Sequence, residues 1–415
     1  MATRQSCQDV RTAFACSEYY RGRRSPVRRS SISLALSSSL KDSIHWSRLV
    51  KYPPTYIRSS EGLPLGSVYM TSKLTGLECR FNITMDPAKG DIAELSTCTT
   101  CRFKEDKSNY WTAVLYFKHG NGSFIRVPQI ANDGTGAPNG GMTIYYIRPR
   151  PPAKDLDITI FPEGFRMRVG APNARRMPYT AGTASVNQTT FRCWDGTGIG
   201  PGTPGVGALD SVEFPAHQCE GGIRSQVYFP QCWDGKNLDS DDHESHVAHP
   251  SIGDFSWQVS WMFGTDCPAS HPIRIPLLFM ETVWDTKPFN DPSLWPADGS
   301  QPLVWSMGDP TGYGHHADYV FGWEREPFAR AMESRGCLSS WPYNCDQLTT
   351  QTDEEINECT QRIRVPEVTE GQYLEKLPGC NPIQAGPEPA TAVPNCDAVS
   401  TTIGTPAPTQ ARLEE

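Results

Sequence analysis

The chain has no long hydrophobic run. No stretch of about 18 apolar residues occurs in its 415 positions, so no membrane-spanning helix is predicted. It also lacks the G-x-S-x-G elbow, the P-loop, the dinucleotide fingerprint and HExxH, which removes the common sequence signatures of hydrolases, nucleotide enzymes and zinc proteases. Basic charge is scarce: 38 Lys and Arg stand against 46 Asp and Glu, a net charge of −8. That balance argues against nucleic acid as a partner, because phosphate binding needs a basic face. Cys98-Thr-Thr-Cys101 is the sole CxxC and has no second pair beside it, so a structural zinc site is not expected.

What is abundant points to a turn-rich β protein. There are 35 Gly and 36 Pro, a density that favours short strands over long helices. Fourteen cysteines imply disulfides and an oxidising compartment. Sequons at Asn82, Asn121 and Asn187 agree with secretion and are the candidate glycosylation sites. The start of the chain conflicts with this. Residues 1–60 carry eleven Lys and Arg against three Asp and Glu, with no adequate signal-peptide core. They read as a disordered or misassembled N-terminus; a transit peptide and a basic nucleic-acid arm are the weaker readings.

Strands are predicted over Tyr110–Phe117, Ser123–Val127, Gly140–Ile147, Asp157–Phe161 and Gly164–Val169, with no helix between them. His119-Gly-Asn-Gly122 marks a hairpin turn. Residues 170–210 read as a long surface loop. Further strands are predicted at Gln226–Phe229, Ile273–Trp284 (with Pro276 implying an edge or bulge) and Pro302–Met307. Short helices are predicted at Glu326–Ser334 and Thr352–Cys359, the latter opening with a capping box. The expected fold is mainly β, an antiparallel sandwich or jelly-roll-like domain over 61–360 with long disulfide-tied loops and a few short C-terminal helices. Residues 361–415 read as an extended, mostly disordered tail.

Several pieces resemble one family: Cys98-Thr-Thr-Cys101, Ser108-Asn-Tyr-Trp-Thr-Ala113, Val127-Pro-Gln129, Gly141-Met-Thr-Ile-Tyr-Tyr146, Phe161-Pro-Glu-Gly-Phe-Arg-Met167, Cys232 to His246, Cys267-Pro with His271-Pro-Ile-Arg-Ile275, and Gly308-Asp-Pro-Thr-Gly-Tyr-Gly314. Together, over about 80–360, they resemble the fungal domain of unknown function 1996, found in secreted and cell-wall proteins and sometimes beside WSC carbohydrate-binding modules. Family members carry a signal peptide, an Arg-x-Asp-Pro motif and a His-x-His upstream of the matching region. This chain has none of them before Asn82, which implies a wrong first exon. Phe255–Met262 also looks foreign to the family pattern.

Two loops concentrate chemistry. Cys232–Pro250 holds one cysteine, four aspartates and three histidines. The cysteine reads as a disulfide anchor. Trp233, Asp234, Lys236 and Asp239, with Tyr313 from the second loop, are the ligand-contact candidates. The second loop, Gly308–Asp318, supplies His316 and Asp318, a pair able to orient an imidazole as general base; Asp242 is the third catalytic candidate. His243, His246 and His316 form the candidate set for a divalent metal should they converge, with Asp239 or Asp242 beside them. His249 is a poor ligand because the resembling proteins usually carry Tyr there. The bland reading of both loops is architectural, with Asp and His side chains tying irregular backbone. Most of Trp111, Trp233, Trp284, Trp295, Trp305 and Trp323 read as core, and Asp285 and Asp309 as turn formers. Glu281 and Asp285 are the carboxylates available to a glycosidase, though no pattern selects them.

The functional expectation is a secreted protein associated with cell-wall polysaccharide, acting by binding or structure. The rival is a metal-dependent polysaccharide hydrolase or oxidase at the His243, His246 and His316 loops. A stress-sensing surface protein without a ligand site is the third reading.

Overall fold

Strands form where β-branched and aromatic residues run together. In chain order the principal ones are β1 (Ser43–Arg48), β2 (Asn109–Thr112), β3 (Leu115–Lys118), β4 (Phe124–Arg126), β5 (Met142–Ile147), β6 (Arg166–Gly170), β7 (Thr189–Trp194), β8 (Asp210–Ser211), β9 (Gly222–Tyr228), β10 (Leu277–Trp284), β11 (Leu303–Trp305) and β12 (His316–Val320). The computed structural model describes residues 43–48, 55–56, 68–69, 90–130, 142–148, 157–178, 188–196, 209–250, 266–334, 337, 345–359, 371–379 and 381–393. Asn82, Asn187, the Phe255–Met262 stretch and most of residues 1–60 lie outside them.

One large antiparallel sheet runs β1-β5-β10-β9-β7-β8, with Gln129–Ile130 pairing to β10 as its seventh strand. Two three-stranded antiparallel sheets lie against its inner face: β2-β12-β6 and β11-β3-β4. The layers meet through aromatic rings. Tyr146 of β5 bonds the hydroxyls of Tyr110 (2.6 Å) and Tyr319 (3.0 Å), and Trp284 of β10 meets Trp305 of β11 edge-on, 5.9 Å between centroids. Trp284, Trp305 and Trp323 are fully buried, as expected of core anchors. Each such ring contributes roughly 2–3 kcal/mol of burial. The protein is therefore mainly β, an antiparallel sandwich.

Among the described residues four disulfides staple the loops: Cys98–Cys359, Cys193–Cys219, Cys232–Cys267 and Cys337–Cys345. Cys232 is thus a disulfide anchor. No helix of the described residues is long and apolar enough to cross a membrane.

The elements differ from sequence expectation in four places. Tyr110–Phe117 is two strands in two sheets. The chain crosses over at Val114, whose carbonyl accepts from Ser306 N (2.9 Å). Residues 157–161 form no strand; Thr159 N donates to the Arg274 carbonyl, and Pro162 follows with no donor of its own. Pro276 marks a break, not an edge: it separates the short strand Ile273–Arg274 from β10, which lies between β5 and β9. The stretch read as a loop at 170–210 contains β7, whose Thr-Thr-Phe-Arg-Cys-Trp run is rich in β-formers. The hairpin at His119–Gly122 forms as expected, with His119 N donating to Ser123 O (2.8 Å). Asn121 sits exposed on its tip, where its Oδ1 accepts from Ser123 N and Oγ.

The helix Arg325–Glu333 carries Pro327 in its first turn, and Asp353–Glu358 opens with a reciprocal capping box between Thr352 and Glu355. Within the region read as a tail, residues 371–379 and 381–393 pack onto the domain. Leu374 pairs with Phe124, and Gln384 N donates to Gly308 O (3.0 Å).

Candidate functional site

The Cys232–Pro250 loop spends its polar groups on itself. Asp234 Oδ1 accepts from the N–H groups of Lys236 and Asn237, and its Oδ2 accepts from the Asn237 amide. Asp242 Oδ1 accepts from Glu244 N, Ser245 N and Ser240 Oγ. These bonds hold both carboxyls below the usual range. The Trp233 indole N–H donates to Asn237 O, and its ring stands edge-on to Phe165. His246 is buried and anchors the loop. A carbonyl only accepts, so Nε2 carries the hydrogen it gives to Arg166 O (2.7 Å), and Nδ1 faces the Ser240 hydroxyl (2.8 Å). Both ring nitrogens are thereby engaged.

His243 is different. It is the one non-glycine residue with positive φ (57°) among those described. Such a conformation costs about 1–3 kcal/mol and persists only where its surroundings enforce it. Here Asp239 Oδ1 lies 2.6 Å from His243 Nδ1, and Arg168 N donates to the His243 carbonyl (2.7 Å). The result is an oriented Asp–His dyad on an exposed loop. His249 meets Gln188 Oε1 (2.8 Å) instead.

The Gly308–Asp318 loop is organised by Asp309. Its buried carboxylate accepts from Thr311 N, Thr311 Oγ1, Gly312 N and Gly314 N, and the Arg175 guanidinium lies 3.8 Å away. Asp309 is the turn former that the sequence suggested. Tyr313 donates its hydroxyl to Glu213 (3.0 Å). The loop delivers His315 and His316 to the start of β12. His315 points into the core between Phe191 and Trp305. Gly170 is required opposite His316: it has φ 91°, and a Cβ there would stand 2.3 Å from the His315 carbonyl.

The two loops flank one strand. Along β6, Arg166 N and Arg168 N donate to Leu238 O and His243 O of the first loop, while the other edge of β6 pairs with β12. Side chains alternate between faces. Ala317, Tyr319, Met167, Val169 and Tyr110 point into the core. The opposite face carries the polar residues. Register places Trp111 of β2, Asp318 of β12 and Arg168 of β6 in one row, and Arg168 Nε continues it to Glu244 Oε1 of the loop at 2.9 Å. The next row is Asn109, Val320 and Arg166.

This face is buried, with Asn109 1% and Asp318 5% exposed. Yet Asn109 Nδ2, Asn109 Oδ1, Asp318 Oδ2 and Arg166 Nε are buried without any hydrogen-bond partner. Leaving such a group unpaired costs about 1–3 kcal/mol, and four such atoms on one face make it a candidate binding site. His316 is held below its ordinary pKa by burial, partly offset by the Asp318 charge. Its Nδ1 faces Gly314 O (2.8 Å), so the hydrogen sits there and Nε2 is the acceptor. Burial raises Glu244, with Arg168 opposing.

The structure therefore gathers His316, Asp318 and the loop bearing His243 around β6. Asp234, Asp242 and His246 are consumed by their own loop, and Tyr313 lies with Glu213. Among the described residues no group of three His, Cys, Asp or Glu is placed to hold a metal ion. Sequence reasoning missed Asn109, Arg166, Arg168 and Glu244. Asn109 lies on β2, Arg166 and Arg168 on β6 and Glu244 on the loop, pieces that only the fold makes neighbours.

The model of the domain of unknown function family DUF1996 matches residues 74–323, and the chain belongs to that family. No curated protein and no solved structure matches the chain. All the residues of the polar face fall within the matched region.

Proposed function

We propose that this DUF1996 protein is a secreted, cell-wall-associated protein that binds polysaccharide on the outer face of β2-β12-β6. One observation carries the reading: the partnerless atoms there alternate in kind. Asn109 Nδ2 and Arg166 Nε are donors; Asn109 Oδ1 and Asp318 Oδ2 are acceptors. A metal ion wants lone pairs only, and a phosphate wants donors only. Sugar hydroxyls donate and accept at once, and vicinal hydroxyls match such an interleaved set. The disulfides and the exposed Asn121 sequon agree with an oxidising, extracellular setting. Retention on insoluble chitin, β-glucan and cellulose tests it. Binding to at least one, weakened tenfold or more in Asn109→Ala, is expected. Retention on none, or retention indifferent to that substitution, contradicts it.

A second reading, a polysaccharide-active enzyme, is favoured by the strained His243 and its bond to Asp239. An imidazole oriented by a carboxylate is the arrangement of a general base. Release of reducing ends from the retained polymer, lost in His243→Gln with binding intact, is its signature.

A further inference from the structure

A second polar cluster lies on the outer face of the seven-stranded sheet, away from β6 and its loops. Register puts Thr190, Arg192 and Trp194 of β7, Arg224, Gln226 and Tyr228 of β9, and Glu281 of β10 on that one face. Their inward neighbours Ile223, Val227, Met280 and Trp284 belong to the core.

The carboxylates of this cluster are engaged. Asp210 of β8 pairs with Arg192 and accepts from Gln226 Nε2 (2.7 Å). Glu281 accepts from Tyr145 Oη (2.8 Å) and faces Arg224 Nη1 at 3.8 Å. The Gln226 carbonyl takes Arg224 Nε (3.1 Å). Arg224 itself is 4% exposed, yet its Nη2 has no partner, and neither does the buried Trp194 Nε1. Trp194 pairs with Gly222 and Arg192 with Arg224, so indole and guanidinium are diagonal neighbours on one face. Gly222, which has φ 97°, sits against the Trp284 carbonyl, 2.5 Å from where a Cβ would stand.

Both unused atoms are N–H donors, one of them on a cation. This is the opposite of the mixed set around Asn109, and it asks for an anionic acceptor. We propose that Arg224 and Trp194 form a second binding site, for the carboxylate of a sugar acid or similar small monocarboxylate. A planar carboxylate offers two oxygens to two donors. A phosphate dianion fits less well, because Asp210 and Glu281 stand in the same cluster and repel a second negative charge. Burial raises the Glu281 carboxyl, with the Arg224 charge and the Tyr145 hydroxyl opposing. Beyond the polar end, Tyr228 stacks on Phe279 at 4.3 Å and Tyr145 lies 5.0 Å from Phe279, in a small buried apolar cluster.

The test is calorimetric titration of the full chain with D-glucuronate, D-glucose and inorganic phosphate. Glucuronate binding is expected, with phosphate and glucose weaker by tenfold or more. Trp194→Phe, which keeps the ring and removes the donor, and Arg224→Lys should each weaken glucuronate at least tenfold. Asn109→Ala should leave it unchanged, which separates this site from the polysaccharide face. No glucuronate binding by the native chain, tighter binding of phosphate, or binding unaffected by Trp194→Phe in a folded variant overturns the proposal.

Discussion

The Cys232–Pro250 loop and the sheet face beside it differ in how their polar groups are used. In the loop, Asp234, Asp239, Asp242 and His246 all find partners within the loop or on β6. On the face of β2-β12-β6, Asn109, Asp318 and Arg166 keep buried atoms with none. The loop is richer in chemistry-bearing letters, and the face is richer in unmet hydrogen-bonding capacity. Density of charged residues therefore marks architecture here, and unsatisfied burial marks the candidate site. Removing a satisfied group should cost stability and spare binding; removing an unsatisfied one should do the reverse.

The largest effect is expected at Asp309, the most fully satisfied carboxylate. Asp309→Ala removes the buried charge partner of Arg175 and frees three backbone N–H groups, so it should lower unfolding free energy by about 3–5 kcal/mol in a denaturant titration. A loss under about 1 kcal/mol would show that the loop does not depend on it.

Acid should act next. Burial lowers His246, His315 and His316 below the ordinary 6.5, His315 to about 3. The unfolded chain then binds more protons than the folded one between about pH 6.5 and the lowered values. Stability is full above 6.5 and declines as pH falls, by about 1.4 kcal/mol per pH unit for each such histidine. A denaturation midpoint flat between pH 7 and 4.5 contradicts their neutral burial.

A smaller loss is expected from Asp242→Ala. Its carboxylate is exposed but accepts three bonds, so roughly 1–2 kcal/mol should go, with retention on polysaccharide unchanged. Weakened retention in a folded Asp242→Ala protein would move the site onto the loop.

The smallest change in stability, and of the opposite sign, belongs to Asn109→Leu. Its amide has no partner to lose, so an apolar side chain of similar size should leave stability within about 1 kcal/mol of native or raise it. A loss above about 2 kcal/mol would mean that the amide serves folding.

Much of the fold was legible because it rests on local rules. Turn chemistry at His119–Gly122, the capping box at Thr352 and the aromatic runs of β5 and β10 each declare themselves within a few residues. What failed depended on partners. Nothing in Tyr110–Phe117 says that Val114 leaves one sheet for another, since Ser306 is far away in sequence. The site was legible by half. His316 and Asp318 stood out as a pair, whereas Arg168 reads as an ordinary outward residue until β12 and Glu244 are placed on either side of it. Asn109 carries no local signal, because its importance is the absence of a partner.

The most direct measurement is the unfolding midpoint with and without soluble oligosaccharides of chitin, β-glucan and cellulose, in the native protein and in Asn109→Leu. A ligand that binds only the folded state raises the midpoint. The prediction is a rise with at least one of these ligands in the native protein and none in Asn109→Leu. No rise in the native protein, or an equal rise in both, contradicts a binding site on the face of β2-β12-β6.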